Sequence, residues 1–139
     1  MSGCKSITNA AFVHLKGIHT LDMNGSRSTI TDAAFSHLQG IHTLNMAWCY
    51  QSTITDAAFV HLKGIYSLSL YGCHQLTNAV FTHLKGIKRL NLGNSRQLNL
   101  TDDSLKGIEW LGMHGRSQAH VEQAKSLGYP VDTEYSYVA

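Results

Sequence analysis

One segment of the chain is Ile54-Thr55-Asp56-Ala57-Ala58-Phe59-Val60-His61-Leu62-Lys63-Gly64-Ile65, and it recurs with few changes. Near-copies occupy residues 7–18, 30–41 and 76–87, and a shortened copy occupies residues 100–108. Each copy ends on Leu-x-Gly-Ile, with the glycines at Gly17, Gly40, Gly64, Gly86 and Gly107. Internal repeats spaced by about 21 to 24 residues indicate a solenoid, in which each unit packs against its neighbours.

Two hydrophobic periodicities follow one another in each unit. Apolar residues first recur with helical spacing, as Ala34, Phe35 and Leu38 do. The preceding Thr-Asp or Thr-Asn pair predicts a helix N-cap, and the glycine of Leu-x-Gly-Ile predicts a left-handed helix stop. The period then changes to two, which predicts short strands with alternate residues buried. The buried pairs are Leu21 and Met23, Leu44 and Met46, Leu68 and Leu70, Leu90 and Leu92, and Leu111 and Met113.

The segment that joins each strand to the next helix carries a family resemblance. Leu44-Asn45-Met46-Ala47-Trp48-Cys49, followed by Ile54-Thr55-Asp56, resembles the cysteine-containing subtype of leucine-rich repeat. Within residues 68–78, the first ten match Leu-x-Leu-x-x-Cys-x-x-Leu-Thr throughout, and Cys4-Lys5-Ser6-Ile7-Thr8 fits its tail. The resemblance extends to about Gln118. This subtype is best known from F-box proteins, so the resemblance implies substrate recognition for a ubiquitin ligase, although we identify no F-box in this chain.

We therefore expect an α/β fold, a right-handed leucine-rich-repeat solenoid of about five units. Its parallel sheet would line the concave side and its short helices the convex side. We assign residues 1–118 to the repeats and residues 119–139 to a C-terminal capping helix and tail. The apolar face of that helix is Val121, Ala124 and Leu127. Residues 129–135 are expected to add a last strand, where Pro130 would discourage further pairing.

One position after each strand holds a small polar residue, and we call it the slot. Its members are Cys4, Ser26, Cys49, Cys73 and Ser95. A catalytic thiol would occur once, beside a histidine, whereas this position repeats and accepts serine. We therefore expect it to satisfy backbone groups of the turns. Free thiols also favour a reducing compartment, so we expect a cytoplasmic protein.

Four of the nine histidines share one register just before the helix leucine: His14, His37, His61 and His83. Stacked units would align them on the convex side, where neighbouring imidazoles can bind a transition metal or simply face solvent. We expect the second, and so no metal site. The sequence contains no Cys-x-x-Cys, His-Glu-x-x-His, Gly-x-Ser-x-Gly or Walker motif. We accordingly expect no cofactor, no catalytic residues and no enzyme activity.

Composition narrows the classes of partner. The net charge of +2 is too small to indicate nucleic acid or an anionic membrane. No apolar run approaches the roughly 20 residues of a membrane span. The first residues also lack the apolar core of a signal peptide. A protein partner is the remaining expectation.

The variable positions of the strands predict where a partner would bind. Equivalent positions of successive strands form columns, and three columns are expected to point outward from the sheet. They are Thr20, Thr43, Ser67, Arg89 and Trp110; then Asp22, Asn45, Ser69, Asn91 and Gly112; and then Asn24, Ala47, Tyr71, Gly93 and His114. A fourth column lies just before the strands and comprises His19, His42, Tyr66, Lys88 and Glu109. Aromatic and arginine side chains most often anchor interfaces. The predicted partner-binding residues are Trp48, Tyr66, Tyr71, Arg89, Trp110 and His114.

Two alternatives to a protein-binding module remain open. The chain could be a structural repeat array with no dedicated ligand. It could also be a small-molecule receptor or an enzyme that uses the C-terminal half of the concave face, which would require a pocket near Trp110 and His114. Self-association through the exposed N-terminal edge strand, around residues 20–23, is a further possibility.

Overall fold

A computed structural model describes residues 7–134. Within that range six short strands form one sheet in chain order, all paired in parallel. The strands are β1 Thr20–Asp22, β2 Thr43–Asn45, β3 Ser67–Ser69, β4 Arg89–Asn91, β5 Trp110–Gly112 and β6 Val131–Asp132. This order and register are those of a solenoid-like stack. The predicted parallel sheet and the added last strand are confirmed, whereas handedness and the number of units stay predictions.

The central residue of each of the strands β1 to β5 points into the core. One register column comprises Leu21, Leu44, Leu68, Leu90 and Leu111, all of them buried. The phenylalanines Phe12, Phe35 and Phe59 pack behind them and are fully buried. Because a three-residue strand cannot bury its apolar side chains alone, the stacking of units supplies the core.

The helical segments are shorter and tighter than the sequence spacing predicted. Helix α1 is Asn9–Phe12 and leads into a 3₁₀ turn at Val13–Leu15. The following three units have 3₁₀ helices at Asp32–Leu38, Asp56–Leu62 and Asn78–His83. A 3₁₀ helix rises more per residue than an α-helix, so it spans a unit with fewer residues. The next unit has only turns at residues 101–107.

Threonine caps begin these helices as predicted. The Oγ1 atoms of Thr31, Thr55 and Thr77 accept hydrogen bonds from the backbone N–H two residues later. The capping prediction is confirmed for these three units.

The helices end in a type II turn rather than in a helical C-cap. Lys63 is extended (φ −54°, ψ 129°), Gly64 is left-handed (φ +84°), and Ile65 N donates to Leu62 O at 3.0 Å. Gly17, Gly40, Gly86 and Gly107 also have positive φ angles. The predicted left-handed glycine is therefore confirmed, but it occupies the third position of a β-turn.

A polar ladder links the helix starts of successive units. The side-chain oxygen of an Asp or Asn accepts the backbone N–H at the cap position of the next unit, at 2.7 to 2.9 Å. The pairs are Asn9 with Thr31, Asp32 with Thr55, Asp56 with Thr77, and Asn78 with Asn99. We call this series the cap ladder.

The cap ladder corrects the alignment of the last repeat. We expected its copy to begin at Leu100, yet Asn99 makes the bond that Thr77 makes one unit earlier. Leu98, fully buried, therefore takes the place of Leu76. Leu100 is buried as well, in a segment that forms no helix.

The C-terminal segment covers the last described unit. Helix α2 is Gln118–Ser126 and buries Val121 and Ala124, as predicted. Leu127 was predicted on the same face but is 37% exposed, because the helix has already ended at Ser126. The hydroxyl of Tyr129 donates to Asp102 O (2.7 Å) and accepts from Leu105 N (3.2 Å), which ties the tail to the turn unit.

The boundary between residues 118 and 119 stays a prediction. Among residues 7–134 no helix is long and apolar enough to cross a bilayer.

Candidate interaction surface

The side chains in the middle of the sheet face are less exposed to a binding partner than we expected. Asn45, Ser69 and Asn91 were predicted to face a partner, but each is no more than 5% exposed. The two asparagine side chains turn back on their own chain: Ala47 N donates to Asn45 Oδ1 (3.0 Å) and Gly93 N to Asn91 Oδ1 (2.9 Å). These residues therefore stabilise the turns that end the strands.

Large rings fill spaces that glycines leave in the next unit. A Cβ built on Gly72 would lie 2.4 Å from the ring of Trp48. A Cβ built on Gly93 would lie 2.4 Å from the ring of Tyr71. Both rings thus lie directly on backbone, an approach that only glycine permits. Our third column already set Tyr71 beside Gly93, but it did not predict that the ring would pack on this glycine, and no column contained Trp48 and Gly72.

Trp48 combines exposure with an unusual backbone. Its φ is +60°, a left-handed conformation that is rare for bulky residues. The ring is 5.2 Å from Tyr71 in an edge-to-face arrangement and 6.4 Å from His74, and the residue stays 38% exposed. The equivalent turn position holds Gly25, Gly72, Asn94 and Gly115 in the other units, all with positive φ.

Tyr71 is held inside the surface rather than presented on it. It is 7% exposed, and its hydroxyl accepts a hydrogen bond from Asn94 Nδ2 at 2.7 Å. Its ring stacks on His114 with centroids 6.4 Å apart. Tyr71 therefore positions Trp48 and His114 instead of offering a free ring to a partner.

Arg89 and Trp110 form a second pair on the sheet face. The guanidinium carbon of Arg89 is 5.2 Å from the Trp110 ring, a cation–π distance. Trp110 Nε1 donates to Asp132 Oδ2 at 3.0 Å, which fixes the indole. Both residues are half-buried.

Tyr66 belongs to a separate column at the start of the strands. His19 and His42 stack at 4.5 Å, and His42 and Tyr66 stack at 4.6 Å. The column continues to Glu109, which pairs with Lys88 at 3.7 Å. The six predicted residues thus separate into three groups: Trp48 with Tyr71 and His114, Arg89 with Trp110, and Tyr66.

A row of exposed residues directly after the slot was missed in our sequence prediction. Arg27 stacks over the ring of Tyr50 at 5.5 Å, and Tyr50 is 43% exposed. His74, also exposed, continues the row beside Trp48. We call Arg27, Trp48, Tyr50 and His74 the aromatic rim. Arg27, Tyr50 and His74 each directly follow a slot residue and are spaced as the units are, which could have revealed the row, whereas Trp48 directly precedes the slot.

The slot bonds to backbone as predicted. Cys49 Sγ donates to Met23 O (3.0 Å) and Cys73 Sγ to Met46 O (3.1 Å). Burial raises the pKa of Cys49 to about 11 and raises that of Cys73 further. Both thiols are therefore neutral and inaccessible at physiological pH, unsuited to nucleophilic chemistry. Cys4 lies outside the described residues.

Arg116 is the last residue of the slot series, and we did not predict this from the sequence. It occupies the slot position one unit after Ser95, and its guanidinium donates to three backbone oxygens. The acceptors are Leu92 O, Ser95 O and Leu98 O. A long side chain here reaches carbonyls that a serine or cysteine could not.

The histidine register lies on the helical side of the units. His14 is exposed, and His37, His61 and His83 are half-buried. Across residues 7–134, no three His, Cys, Asp or Glu side chains converge where a metal ion could bind.

Comparison with known proteins finds similarity among solved structures. No protein-family profile matches the sequence, and no curated protein matches it. A chain in the crystal structure of the Rad7 and Elc1 complex from yeast is similar in structure, with a TM-score of 0.58 and 18% identity. The match covers 86% of this chain and 36% of that chain, so this chain spans about a third of it. At this identity the likeness shows the fold, an α/β stack with a parallel sheet.

Proposed function

We propose that this chain is a leucine-rich-repeat module of the cysteine-containing subtype that binds a protein partner and catalyses no reaction. The contact surface would be the aromatic rim together with Arg89 and Trp110. The repeated thiols of Cys49 and Cys73 are buried and hydrogen-bonded to backbone, which supports a binding role over catalysis.

The conformation of Trp48 is the observation that carries the proposal. Backbone strain of this kind costs of order 1 to 3 kcal/mol and clusters at functional sites. Other units place glycine or asparagine at this turn, so the fold itself does not require an indole there. An exposed tryptophan held rigidly on Gly72 is a typical interface anchor.

Arg27 and Tyr50 extend the rim from Trp48 toward the N-terminal units. Tyrosine and arginine are enriched in interfaces for the same reason as tryptophan, because they combine apolar area with hydrogen-bonding groups. The rim is therefore suited to a partner that buries aromatic side chains and accepts hydrogen bonds.

A more specific role would be substrate recognition within a ubiquitin-ligase-type complex. The Leu-x-Leu-x-x-Cys-x-x-Leu-Thr segment at residues 68–77 resembles repeats of F-box proteins, which favours this role. The structurally similar yeast chain was solved in a complex of two proteins, which favours protein binding in general.

The test uses Trp48→Gly, which introduces the residue found in neighbouring units. This variant relieves the left-handed strain, so we expect it to fold, and circular dichroism with urea denaturation would check this. Immobilised wild-type and variant chains are compared for the proteins that they retain, and each retained protein is then purified and titrated. We expect a loss of at least about 2 kcal/mol in binding, roughly thirtyfold in Kd, for an anchor of this type.

Val60→Ser is the matched control, because Val60 is 54% exposed on a helical segment away from the strands. It should retain the same partner with unchanged affinity. If a folded Trp48→Gly retains every partner as the wild type does, the rim is not the contact surface. An effect of Val60→Ser alone would move the surface to the helical side.

A further inference from the structure

A cavity of about 300 Å³ lies between the loop after β4 and the start of α2. Its lining comprises Arg96, Gly115, Arg116, Ser117 and His120. Two guanidinium groups and an imidazole therefore surround one space. The adjoining loops, residues 93–99 and 114–120, contain no Asp or Glu.

The charge of Arg116 has no carboxylate partner among the described residues. Its Nη atoms contact backbone oxygens and His120 Nδ1 (3.4 Å), and its Nε is buried without a hydrogen-bond partner. The ion pairs within residues 7–134 lie elsewhere, between Lys88 and Glu109 and between Lys125 and Glu122. A half-buried cation with only dipoles around it gains stability when an anion approaches.

Burial lowers the pKa of Arg116 to about 10, which reflects this uncompensated charge. The group is still protonated at neutral pH. Arg96 is exposed at the mouth of the same cavity, so its guanidinium is free to move toward an incoming anion.

Helix α2 adds to the positive potential. It is a nine-residue helix whose N-cap, Ser117, accepts from His120 N at 3.3 Å. The N-terminal end of a helix carries partial positive charge and N–H groups without intrahelical partners. The helix start, two arginines and a histidine thus favour the same kind of ligand.

We propose that this cavity binds a phosphate dianion, with Arg96 and His120 as donors and Arg116 as a fixed positive charge. Such a dianion, free or as a monoester, offers at least three oxygens to converging donors, and guanidinium groups match its geometry. The site lies beyond the aromatic rim and does not depend on the proposed partner. The ligand can be inorganic phosphate or the phosphorylated side chain of another protein.

The test is a titration of the purified full chain with inorganic phosphate at constant ionic strength, with sodium chloride as the reference. We expect saturable amide shifts at Gln118, Ala119 and His120 in ¹H–¹⁵N spectra. Arg96→Gln should weaken binding by about tenfold, as expected for the loss of a charge-assisted hydrogen bond. Lys125→Gln is the matched control, since it removes one positive charge at the other end of α2, and its affinity should stay within about twofold.

A phosphoserine peptide and its unphosphorylated form separate the two sources. Tighter binding of the phosphopeptide than of phosphate assigns the site to a phosphorylated protein, and equal binding assigns it to free phosphate; both support the proposal. Chloride shifts of the same size overturn it, as does equal weakening by Arg96→Gln and Lys125→Gln. A single-stranded oligonucleotide that binds where phosphate does not would also overturn it, in favour of a phosphodiester ligand.

Discussion

Replacing Gly93 by alanine tests whether the ring of Tyr71 depends on the glycine below it. The new methyl group would lie 2.4 and 2.5 Å from two ring atoms, whereas ordinary contacts are 3.4 to 4 Å. The ring must therefore retreat by about 1 Å. Trp48 and His114 pack beside it, and the bond from Asn94 Nδ2 holds its hydroxyl, so this retreat strains several contacts.

We expect Gly93→Ala to lower the free energy of unfolding by about 2 kcal/mol, since overpacking costs roughly 1 to 3 kcal/mol and a strained hydrogen bond about 1 kcal/mol. In a Tyr71→Ala background the collision with the ring disappears, which leaves Asn91 Oδ1 at 3.1 Å from the new Cβ, a contact that a shift of a few tenths of an ångström relieves. The φ of Gly93 is not in the left-handed region, so alanine should then change stability by less than about 0.5 kcal/mol.

Urea denaturation of the wild type, both single variants and the double variant gives the coupling energy directly. We expect about 1.5 kcal/mol or more. Additive effects, with a coupling near zero, would show that the Tyr71 ring does not rest on Gly93 and would refute the packing described above.

Two further predictions concern the slot and the cap ladder. Because the folded pKa of Cys49 (about 11) exceeds its ordinary value of 9.0, its stabilising contribution is present below pH 9 and lost as pH rises toward 11. Urea denaturation at pH 8 and at pH 11 gives the free energy of unfolding that each protein loses between the two pH values. This loss should be about 2 kcal/mol smaller for Cys49→Ser than for the wild type. Identical losses would contradict the prediction. Asp56→Ala should cost about 1 to 2 kcal/mol by leaving Thr77 N unbonded. Asp56→Asn should cost much less, because Asn78 makes the same bond to Asn99, and equal costs in urea denaturation would argue against the cap ladder.

The repeat pattern predicts much of the fold because its constant positions are the buried ones. Leu44, Leu68 and Leu90 occupy one register column in the structure, as their spacing indicates. The 3₁₀ geometry was missed because a seven-residue segment satisfies the same apolar pattern in either helix type. We did not predict that Leu98 corresponds to Leu76, because we aligned the last repeat by the sequence Leu-Thr at residues 100–101. The hydrogen bond of Asn99 N shows that Asn99 corresponds to Thr77.

The candidate surface was harder to predict, since exposure depends on the neighbouring unit. Tyr71 is buried because Gly93, its neighbour in the same column, leaves room for its ring, and the residue types alone do not predict that packing. We expected Asn45 and Asn91 to face a partner. Their side chains instead accept hydrogen bonds from the backbone of the turns that follow their strands. Arg116 was missed because it shares the slot position but not the residue type.

The turn position that holds Trp48 alternates between glycine and a larger residue along the stack: Gly25, Trp48, Gly72, Asn94 and Gly115. The larger side chains rest on the glycine of the following unit, Trp48 on Gly72 and Asn94 on Gly115. Units are therefore not freely interchangeable. A duplication or exchange that placed two large residues in succession would force them to collide, so viable rearrangements of this array should move units in pairs.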